Sequence, residues 1–167
     1  MPDLTHDVVW RDRTEQGRMT PDDTGPDETG PDHTGPDHSA GQVPVSCRFD
    51  DPFYALTDGL AETRHVFLAG NDLPARFRAG FHIAELGFGT GLNFLATLQL
   101  WKANRGAGQR LHFVSVEKFP LSREELARAL AGWPELNDEA QSLLAVWPGR
   151  VRGTHVMHPA DGVTLTL

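Results

Sequence analysis

Two glutamates and three closely spaced glycines carry the clearest chemical signal of this sequence. Glu85 precedes Gly87, Gly89 and Gly91 in the stretch ELGFGTG, and Glu117 stands 26 residues after the last of these glycines. Glycine lets a backbone turn sharply and approach a ligand closely, because it has no Cβ. A carboxylate accepts the hydrogen bonds that ribose hydroxyls donate. The pattern therefore predicts a nucleoside-binding loop, although glycine-rich turns also occur without a ligand.

The spacing of the glycines distinguishes two classes of nucleoside site. A dinucleotide-binding loop has the pattern G-x-G-x-x-G, whose third glycine would fall at Leu92. An S-adenosylmethionine loop has an acid two residues before G-x-G-x-G, and Glu85 completes that pattern. The glycines therefore favour S-adenosylmethionine over NAD, whereas Glu117 fits both classes. The predicted cofactor-binding residues are Glu85, Gly87, Phe88, Gly89, Thr90, Gly91, Asn93, Glu117 and Lys118. Asn93 has a second interpretation, a helix-start residue that faces solvent.

Hydrophobic periodicity predicts the elements that must position this loop. Short apolar runs at 81–86 and 111–118 predict strands, and residues 92–104 between them have helical spacing. After the second strand, Ser122 and Glu125 form a predicted capping box at the start of another helix. The alternation of strands and helices predicts an α/β fold with a parallel sheet.

The segments on either side of this unit have weaker patterns. Residues 60–69 are a predicted helix, with a stop signal at Gly70-Asn71. Residues 135–147 are a further predicted helix. Residues 153–167 are a predicted hairpin, because Asp161-Gly162 is a favourable turn dipeptide between two apolar runs.

The first quarter of the chain has a different composition. Residues 20–42 are a predicted disordered linker, because they repeat the unit T-G-P-D three times. Before them, 1–19 is a predicted N-terminal strand segment whose DVVW (7–10) can pair with the run at 43–56. Residues 43–167 are predicted to form one partial domain. A metal-binding tract in the repeat is the alternative interpretation, with Asp27, Asp32, His33, Asp37 and His38 as ligands. No metal site is predicted, because a hard cation needs a fixed cage of ligands.

Charge and cysteine content narrow the possible functions. The chain has 167 residues, a net charge of -8 and a pI of about 5.4, which argues against a generally basic nucleic-acid surface. A local basic face is still possible, and its candidates are Arg64, Arg76, Arg78, Lys102, Arg105 and Arg110. The single cysteine, Cys47, cannot form an internal disulfide and indicates a reducing cytoplasm. No apolar run reaches the roughly 18 residues that a membrane span needs, so no membrane partner is expected.

Three longer stretches resemble one known family. FDDPFYALTDGLAETRHVFLAGNDLPARF (49–77), FHIAELGFGTGLNFLATLQLW (81–101) and LHFVSVEKFPLSREELARAL (111–130) are similar to the methyltransferase domain of the MnmC family and its stand-alone MnmD relatives. The resemblance covers roughly 43–167 and implies a class I, Rossmann-like methyltransferase fold. It also implies methyl transfer from S-adenosylmethionine to the aminomethyl group on a wobble uridine of tRNA. In bifunctional members an FAD-dependent oxidoreductase domain supplies the free amine.

The resemblance assigns the cofactor half of a site only. Glu85 and the three glycines match the family's cofactor loop, and Glu117 matches its ribose-binding acid. An upstream segment also matches, at Asp58, Gly59, Glu62, Thr63 and Phe67. Thr63 or Arg64 could line the site, or the segment could simply cover the sheet, and packing is the favoured interpretation.

The family's later motifs, Gly-Asp and Asp-Gly-Phe-x-Pro, have no counterpart before Leu167. We therefore expect only the N-terminal half of the sheet, from a fragment, and we assign no catalytic residue. The histidines at 82, 112, 155 and 158 are expected to have structural or surface roles. The alternative function is a non-catalytic nucleoside-binding remnant that lacks the acceptor half of the site. The oligomeric state is not predicted.

Overall fold

The computed structural model describes residues 8–12, 42–54 and 58–167. These residues belong to two compact units, one formed by the first two ranges and the other by 58–167. The T-G-P-D repeat and the five residues of the alternative metal tract lie outside the described residues.

The smaller unit is a three-stranded antiparallel sheet with the order β1-β2-β3. Its strands are β1 (Val8–Asp12), β2 (Gln42–Ser46) and β3 (Asp51–Pro52). The predicted pairing of 7–10 with the run after the repeat is confirmed, with Val9 opposite Val45. The predicted boundary between residues 42 and 43 falls within β2.

The larger unit begins with a composite helix. Helix α1 (Gly59–Glu62) is capped by Asp58, whose carboxylate accepts a backbone hydrogen bond from the first turn at 2.9 Å. It continues as a π-helical segment (Thr63–Leu68) and a short 3-10 turn (Ala69–Asn71). The chain leaves the helix at Asp72, in the left-handed region with φ 54°. The predicted helix is therefore confirmed in position, but its second half has the wider π geometry.

The four-stranded sheet of the larger unit has the order β4-β5-β7-β6. Its strands are β4 (Phe81–Leu86), β5 (Leu111–Val116), β6 (Val156–Ala160) and β7 (Val163–Thr166). β4, β5 and β7 run parallel, and β6 returns antiparallel to β7 through the turn at Asp161-Gly162. Both the parallel sheet and the terminal hairpin agree with the predictions. β4 lies at one edge of the sheet that the described residues form.

Three helices pack with this sheet, and each agrees with a prediction. They are α2 (Leu92–Asn104), α3 (Arg123–Leu130) and α4 (Asn137–Val146), the last preceded by a 3-10 turn at Pro134–Leu136. The capping box at α3 is formed, because Ser122 and Glu125 exchange side-chain to backbone hydrogen bonds of 3.2 and 2.7 Å. Within the described part of the chain, no helix is both long enough and apolar enough to cross a membrane.

Helix α2 is the central element of the core. Its side chains Phe94, Leu95, Leu98 and Trp101 are completely buried. Phe94 packs edge-on against Phe113 of β5, with 5.2 Å between ring centroids. Burial of each such side chain contributes roughly 1.5–3 kcal/mol. α2 thus connects two parallel strands by a buried crossover, which gives the unit a Rossmann-like α/β fold and fixes the loop between β4 and α2.

Candidate functional site

The glycine loop leaves β4 at the carboxyl edge of the sheet. The Gly87 N–H still donates to the Val116 carbonyl at 3.0 Å, so the loop starts in register with β5. Gly87, Gly89 and Gly91 have φ values of 91°, 56° and 73°, all in the left-handed region. Residues with a Cβ rarely adopt this region, so the backbone path itself requires the glycine pattern. A Cβ at Gly87 would meet open space, which leaves room beside the loop.

The end of the loop is fixed by packing against the core. Gly91 is the N-cap residue directly before α2, and no side chain caps this helix N-terminus. A Cβ at Gly91 would come within 2.7 Å of the Phe88 ring and 3.4 Å of Leu143. The Phe88 ring is buried and stacks on Trp147, with 5.5 Å between centroids. The side chain of Phe88 therefore anchors the loop to the core. Only the backbone of Phe88 is available for the predicted contact with a ligand.

Glu117 closes the loop from the neighbouring strand. It follows β5 directly, and its Oε2 accepts a hydrogen bond from the Gly89 N–H at 2.9 Å. Its Oε1 accepts from the Phe119 N–H at 2.8 Å. Two backbone donors thus hold the carboxylate at the loop, and each oxygen keeps a second lone pair for a ligand.

Glu85 is the half-buried acid of the site. Its Oε2 accepts a hydrogen bond from the Asn93 amide at 3.3 Å, whereas its Oε1 is buried with no hydrogen-bond partner among the residues that the structure describes. Burial raises the pKa of Glu85 from 4.5 to about 7; Asn93 and the neighbouring Ser115 hydroxyl oppose this rise, and the charge of Glu117 adds to it. A carboxyl with a pKa near neutrality is a common feature of functional sites.

The hydrogen bonds continue from Asn93 to a segment distant in sequence. The buried Thr63 hydroxyl donates to Asn93 Oδ1 at 3.0 Å. Asn93 is half-buried and bridges Thr63 and Glu85, and its contact with a cofactor stays a prediction. The upstream segment reaches the site through Thr63, while Arg64 is exposed.

The remaining predicted contacts lie around the same edge. Thr90 is buried within the loop, and Lys118 is exposed with its ammonium 5.4 Å from the Phe119 ring centroid. Glu117 and Lys118 line a small cleft of about 140 Å³ with residues from the segment 148–155 and from the end of β7. The nine predicted cofactor-binding residues thus converge on one edge, and their contacts with a ligand stay predictions.

Of the four histidines considered in the sequence, only His155 lines that cleft. His82 and His112 pack edge-on with 5.3 Å between ring centroids, and His112 Nε2 lies 2.8 Å from the Thr166 hydroxyl. His155 Nε2 lies 2.8 Å from the Val151 carbonyl, and His158 is near Thr164. Cys47 is exposed in the smaller unit. No group of three or more His, Cys, Asp or Glu side chains in the described ranges could hold a metal ion.

Three of the six candidate cations meet at the opposite edge of the sheet. Lys102, Arg105 and Arg110 line a cleft of about 660 Å³, together with the turn at 161–162. Lys102 pairs with Glu139 at 2.7 Å, and Arg105 donates to the Asp161 carbonyl at 2.6 Å. Arg110 forms no ion pair with any residue that the structure describes. The cleft lies about 20 Å from the glycine loop, since α2 rises ~1.5 Å per residue between them.

Comparison with known proteins identifies relatives of the chain. The chain is 55% identical over 115 residues to the "tRNA 5-methylaminomethyl-2-thiouridine biosynthesis bifunctional protein MnmC" of Caulobacter vibrioides. Proteins of the same name from Aeromonas salmonicida and Chromobacterium violaceum are 51% identical over 126 residues and 52% over 130. This chain belongs to the MnmC family.

The similarity to MnmC proteins covers 68–74% of this chain but only 19–20% of each of these three relatives. The chain therefore spans about one fifth of their length. Among solved structures, MNMC2 from Aquifex aeolicus matches 75% of this chain and 37% of its own, with 21% identity and a TM-score of 0.46. No protein-family model matches the chain.

The bridge from Thr63 through Asn93 to Glu85 is the part of this MnmC-family site that sequence reasoning missed. The three residues are separated by 30 and 8 positions, and no local pattern links them. The sequence contains one signal that could have indicated the bridge. Asn93 is a polar residue in the first turn of a helix, and the residues on either side of it are apolar. A polar residue at a buried position of that kind needs a partner.

Proposed function

We propose that this chain binds S-adenosylmethionine at the glycine loop and contributes the cofactor half of a methyltransferase site. One observation carries this proposal: three left-handed glycines join β4 to α2, and Glu117 accepts the N–H of the middle one. In this arrangement a nucleoside ribose can lie against a fixed carboxylate, while the rest of the ligand follows the loop. Leu92, where a dinucleotide loop would have glycine, is buried and favours S-adenosylmethionine over NAD.

The residues fit this cofactor chemically. Glu117 is held by two backbone donors and can accept from both ribose hydroxyls. The open space at Gly87 admits the ligand next to the backbone. Glu85 is an acid with one unpartnered oxygen, which suits the cationic end of an amino acid. When bound, the cofactor would supply an electrophilic methyl group.

We further propose that the methyl acceptor is the aminomethyl group of a wobble uridine in tRNA. The relatives' names refer to the biosynthesis of a modified uridine in tRNA, and identities near 50% support a shared substrate class. Transfer to an amine requires an unprotonated nitrogen in line with the departing bond, so positioning supplies much of the rate. The loop and the two acids orient the cofactor for this step, and no residue of the chain is assigned as a base.

Charge distribution supports an RNA substrate. The excess of acidic over basic side chains lies almost wholly in the first 42 residues, whereas 58–167 contain eleven of each. The folded unit is therefore neutral as a whole. At the amino edge of the sheet, Lys102 and Arg105 are paired with Glu139 and Asp161, whereas Arg110 forms no ion pair with the described residues and is the cation offered to a phosphate. A phosphate backbone that contacts Arg110 could extend from that cleft to the loop, since RNA spans such distances readily.

The proposal is tested by two measurements on the full chain. In equilibrium dialysis we expect binding of labelled S-adenosylmethionine and no binding of NAD at equal concentration. In the second measurement, the chain is incubated with labelled S-adenosylmethionine and tRNA that carries the aminomethyl uridine, and label in the RNA is counted. Absence of S-adenosylmethionine binding would overturn the proposal. Binding without transfer would support the alternative function, a nucleoside-binding module.

A further inference from the structure

The polar bridge behind the glycine loop has a defined direction. Thr63 Oγ1 donates to Asn93 Oδ1 at 3.0 Å, and Asn93 Nδ2 donates to Glu85 Oε2 at 3.3 Å. Each residue therefore donates a hydrogen bond to the next one, and the last hydrogen bond ends on a carboxylate oxygen. Thr63 is 7% exposed, so the bridge is shielded from water where it starts.

The Thr63 hydroxyl holds the Asn93 amide through its oxygen, with the NH₂ group toward Glu85. If the amide turned over, its oxygen would face the carboxylate and could accept a hydrogen bond only from the protonated acid. With Oδ1 engaged by Thr63, the NH₂ group faces Glu85 and favours the ionised form. The bridge thus favours the ionised form of Glu85, whereas burial favours its neutral form.

The end of the bridge is incomplete. Glu85 Oε1 is buried with no hydrogen-bond partner within 3.5 Å among the described residues. The nearby Ser115 hydroxyl, itself without a partner at that distance, acts on the carboxyl but does not close a hydrogen bond to Oε1 in this geometry. A buried carboxylate oxygen without a donor is costly, and such an atom in a site commonly marks a place where a ligand or water supplies the donor. The glycine loop that begins two residues later leaves open space at Gly87. A cationic group of a ligand in that space would supply the hydrogen-bond donor that Glu85 Oε1 lacks.

We propose that Thr63 and Asn93 are positioning residues, which hold the Glu85 carboxylate ready to bind the ammonium group of a ligand's amino-acid end. The inference rests on the proposed function, because S-adenosylmethionine is the ligand that carries this group. Thr63 acts only through Asn93, and Asn93 only through Glu85. The contribution of Thr63 should therefore disappear when Asn93 is absent.

Few other charged groups face Glu85. Glu117, at the end of β5, is the charged side chain that acts on it. On the helical segment that carries Thr63, Glu62, Arg64 and His65 are exposed. The first turn of α2 contains no titratable side chain. Glu117 and the ligand's own amino group, which titrates at about pH 7.7–8.0, are common to all variants. A difference in pH dependence between a variant and the unaltered chain therefore reports on Glu85.

The test compares two ligands on the full chain by isothermal titration calorimetry. S-adenosylmethionine carries the ammonium group, whereas 5′-methylthioadenosine has the same nucleoside and no amino-acid end. For Thr63→Val, which keeps the shape and removes the hydroxyl, we expect affinity for S-adenosylmethionine at pH 7 to fall roughly five- to tenfold. Affinity for 5′-methylthioadenosine should stay unchanged. Thr63→Ser should restore S-adenosylmethionine binding.

Two further readouts separate positioning from a purely structural role. In Thr63→Val the loss should be largest at pH 6 and smallest at pH 8, because higher pH ionises Glu85 without the bridge. The double variant Thr63→Val/Asn93→Ala should bind no more weakly than Asn93→Ala alone, since Thr63 acts through Asn93. Circular dichroism checks that each variant is folded. If Thr63→Val is not folded, Asn93→Ala takes its place in the comparison of the two ligands, because it breaks the same bridge.

The outcomes distinguish this inference from the proposed function. An equal loss for both ligands in Thr63→Val would mean that Thr63 only supports the fold, and it overturns the inference. A loss that is independent of pH, or additive with Asn93→Ala, overturns it as well. If the unaltered chain binds neither ligand, the proposed function itself fails, whatever the variants do.

Discussion

The two edges of the β4–β5 sheet, which α2 connects, are built on different principles. At the carboxyl edge, three left-handed glycines at alternate positions set the path of the backbone. Two carboxyl groups there are hydrogen-bonded to neighbouring groups. At the amino edge, exposed or half-exposed cations surround an open cleft. The first region tolerates few residue types at each position, whereas the second depends on charge and tolerates many. A functional site that depends on backbone geometry is therefore easier to recognise in a sequence than one that depends on surface charge.

Substitution of a loop glycine should have the largest effect. Gly91→Ala forces a Cβ against the Phe88 ring in a left-handed conformation, so we expect the free energy of unfolding to fall by about 2–5 kcal/mol. Gly108→Ala at the amino edge is the matched control. Gly108 has the same φ of 73° with no atom within 4 Å of its Cβ position, so only about 1–2 kcal/mol should be lost. Urea denaturation measures both. Equal losses would show that packing against Phe88 does not fix the loop.

The pH dependence of stability should also distinguish the two edges. Glu85 has a folded pKa of about 7, above its unfolded value near 4.5. As pH rises between these values the unfolded chain loses a proton that the folded chain keeps, so the free energy of unfolding falls. The fall is at most about 3 kcal/mol and ends above pH 7. The measurement is urea denaturation at pH 5, 6, 7 and 8.

Glu85→Gln is the control for this slope, because it removes the titrating group and leaves all histidines in place. The difference between the two curves isolates Glu85 from other groups. Glu125 does not interfere, since its pKa is lowered and its contribution is lost only as pH falls below 4.5. Parallel curves for the two proteins would contradict a neutral-range pKa for Glu85.

The same contrast explains what the sequence allowed us to predict. The strands at 81–86 and 111–116, the helix between them and the capping box at Ser122 follow from local periodicity and local hydrogen bonding. The glycine positions could be recognised in the sequence because residues other than glycine rarely adopt φ values of 56° to 91°.

The contacts that local patterns do not encode could not be predicted. The Thr63–Asn93 bond joins residues 30 positions apart, and the π-helical geometry of Thr63–Leu68 depends on how that segment packs. The convergence of Lys102, Arg105 and Arg110 needs the sheet order, because Arg105 is held by a turn 56 positions away. Arg64, Arg76 and Arg78, grouped with them by charge alone, do not line the cleft.

Replacement of the acid that closes the loop should weaken ligand binding. Glu117→Gln keeps the shape but turns an NH₂ group toward one of two backbone donors, Gly89 or Phe119, and removes the charge. We expect affinity for S-adenosylmethionine to fall roughly 10- to 100-fold, as for loss of a charged hydrogen bond. Asp161→Asn at the amino edge is the control, since its side chain is 96% exposed and should not matter. Calorimetry that finds the same affinity for both variants would remove Glu117 from the site.

The smallest effect is expected at the amino edge, where binding depends on charge. Arg110→Glu should reduce tRNA affinity a few-fold and lower the slope of log affinity against log salt by about one, because a single phosphate contact is lost. Arg128→Glu makes the same charge change at an exposed position of α3 outside the cleft, so it controls for net charge. Filter binding at several salt concentrations gives both slopes. If Arg128→Glu changes the slope as much as Arg110→Glu, RNA responds to the overall charge of the unit, and the cleft has no particular part in holding it. If only Arg110→Glu changes it, the cleft at the amino edge contacts the RNA.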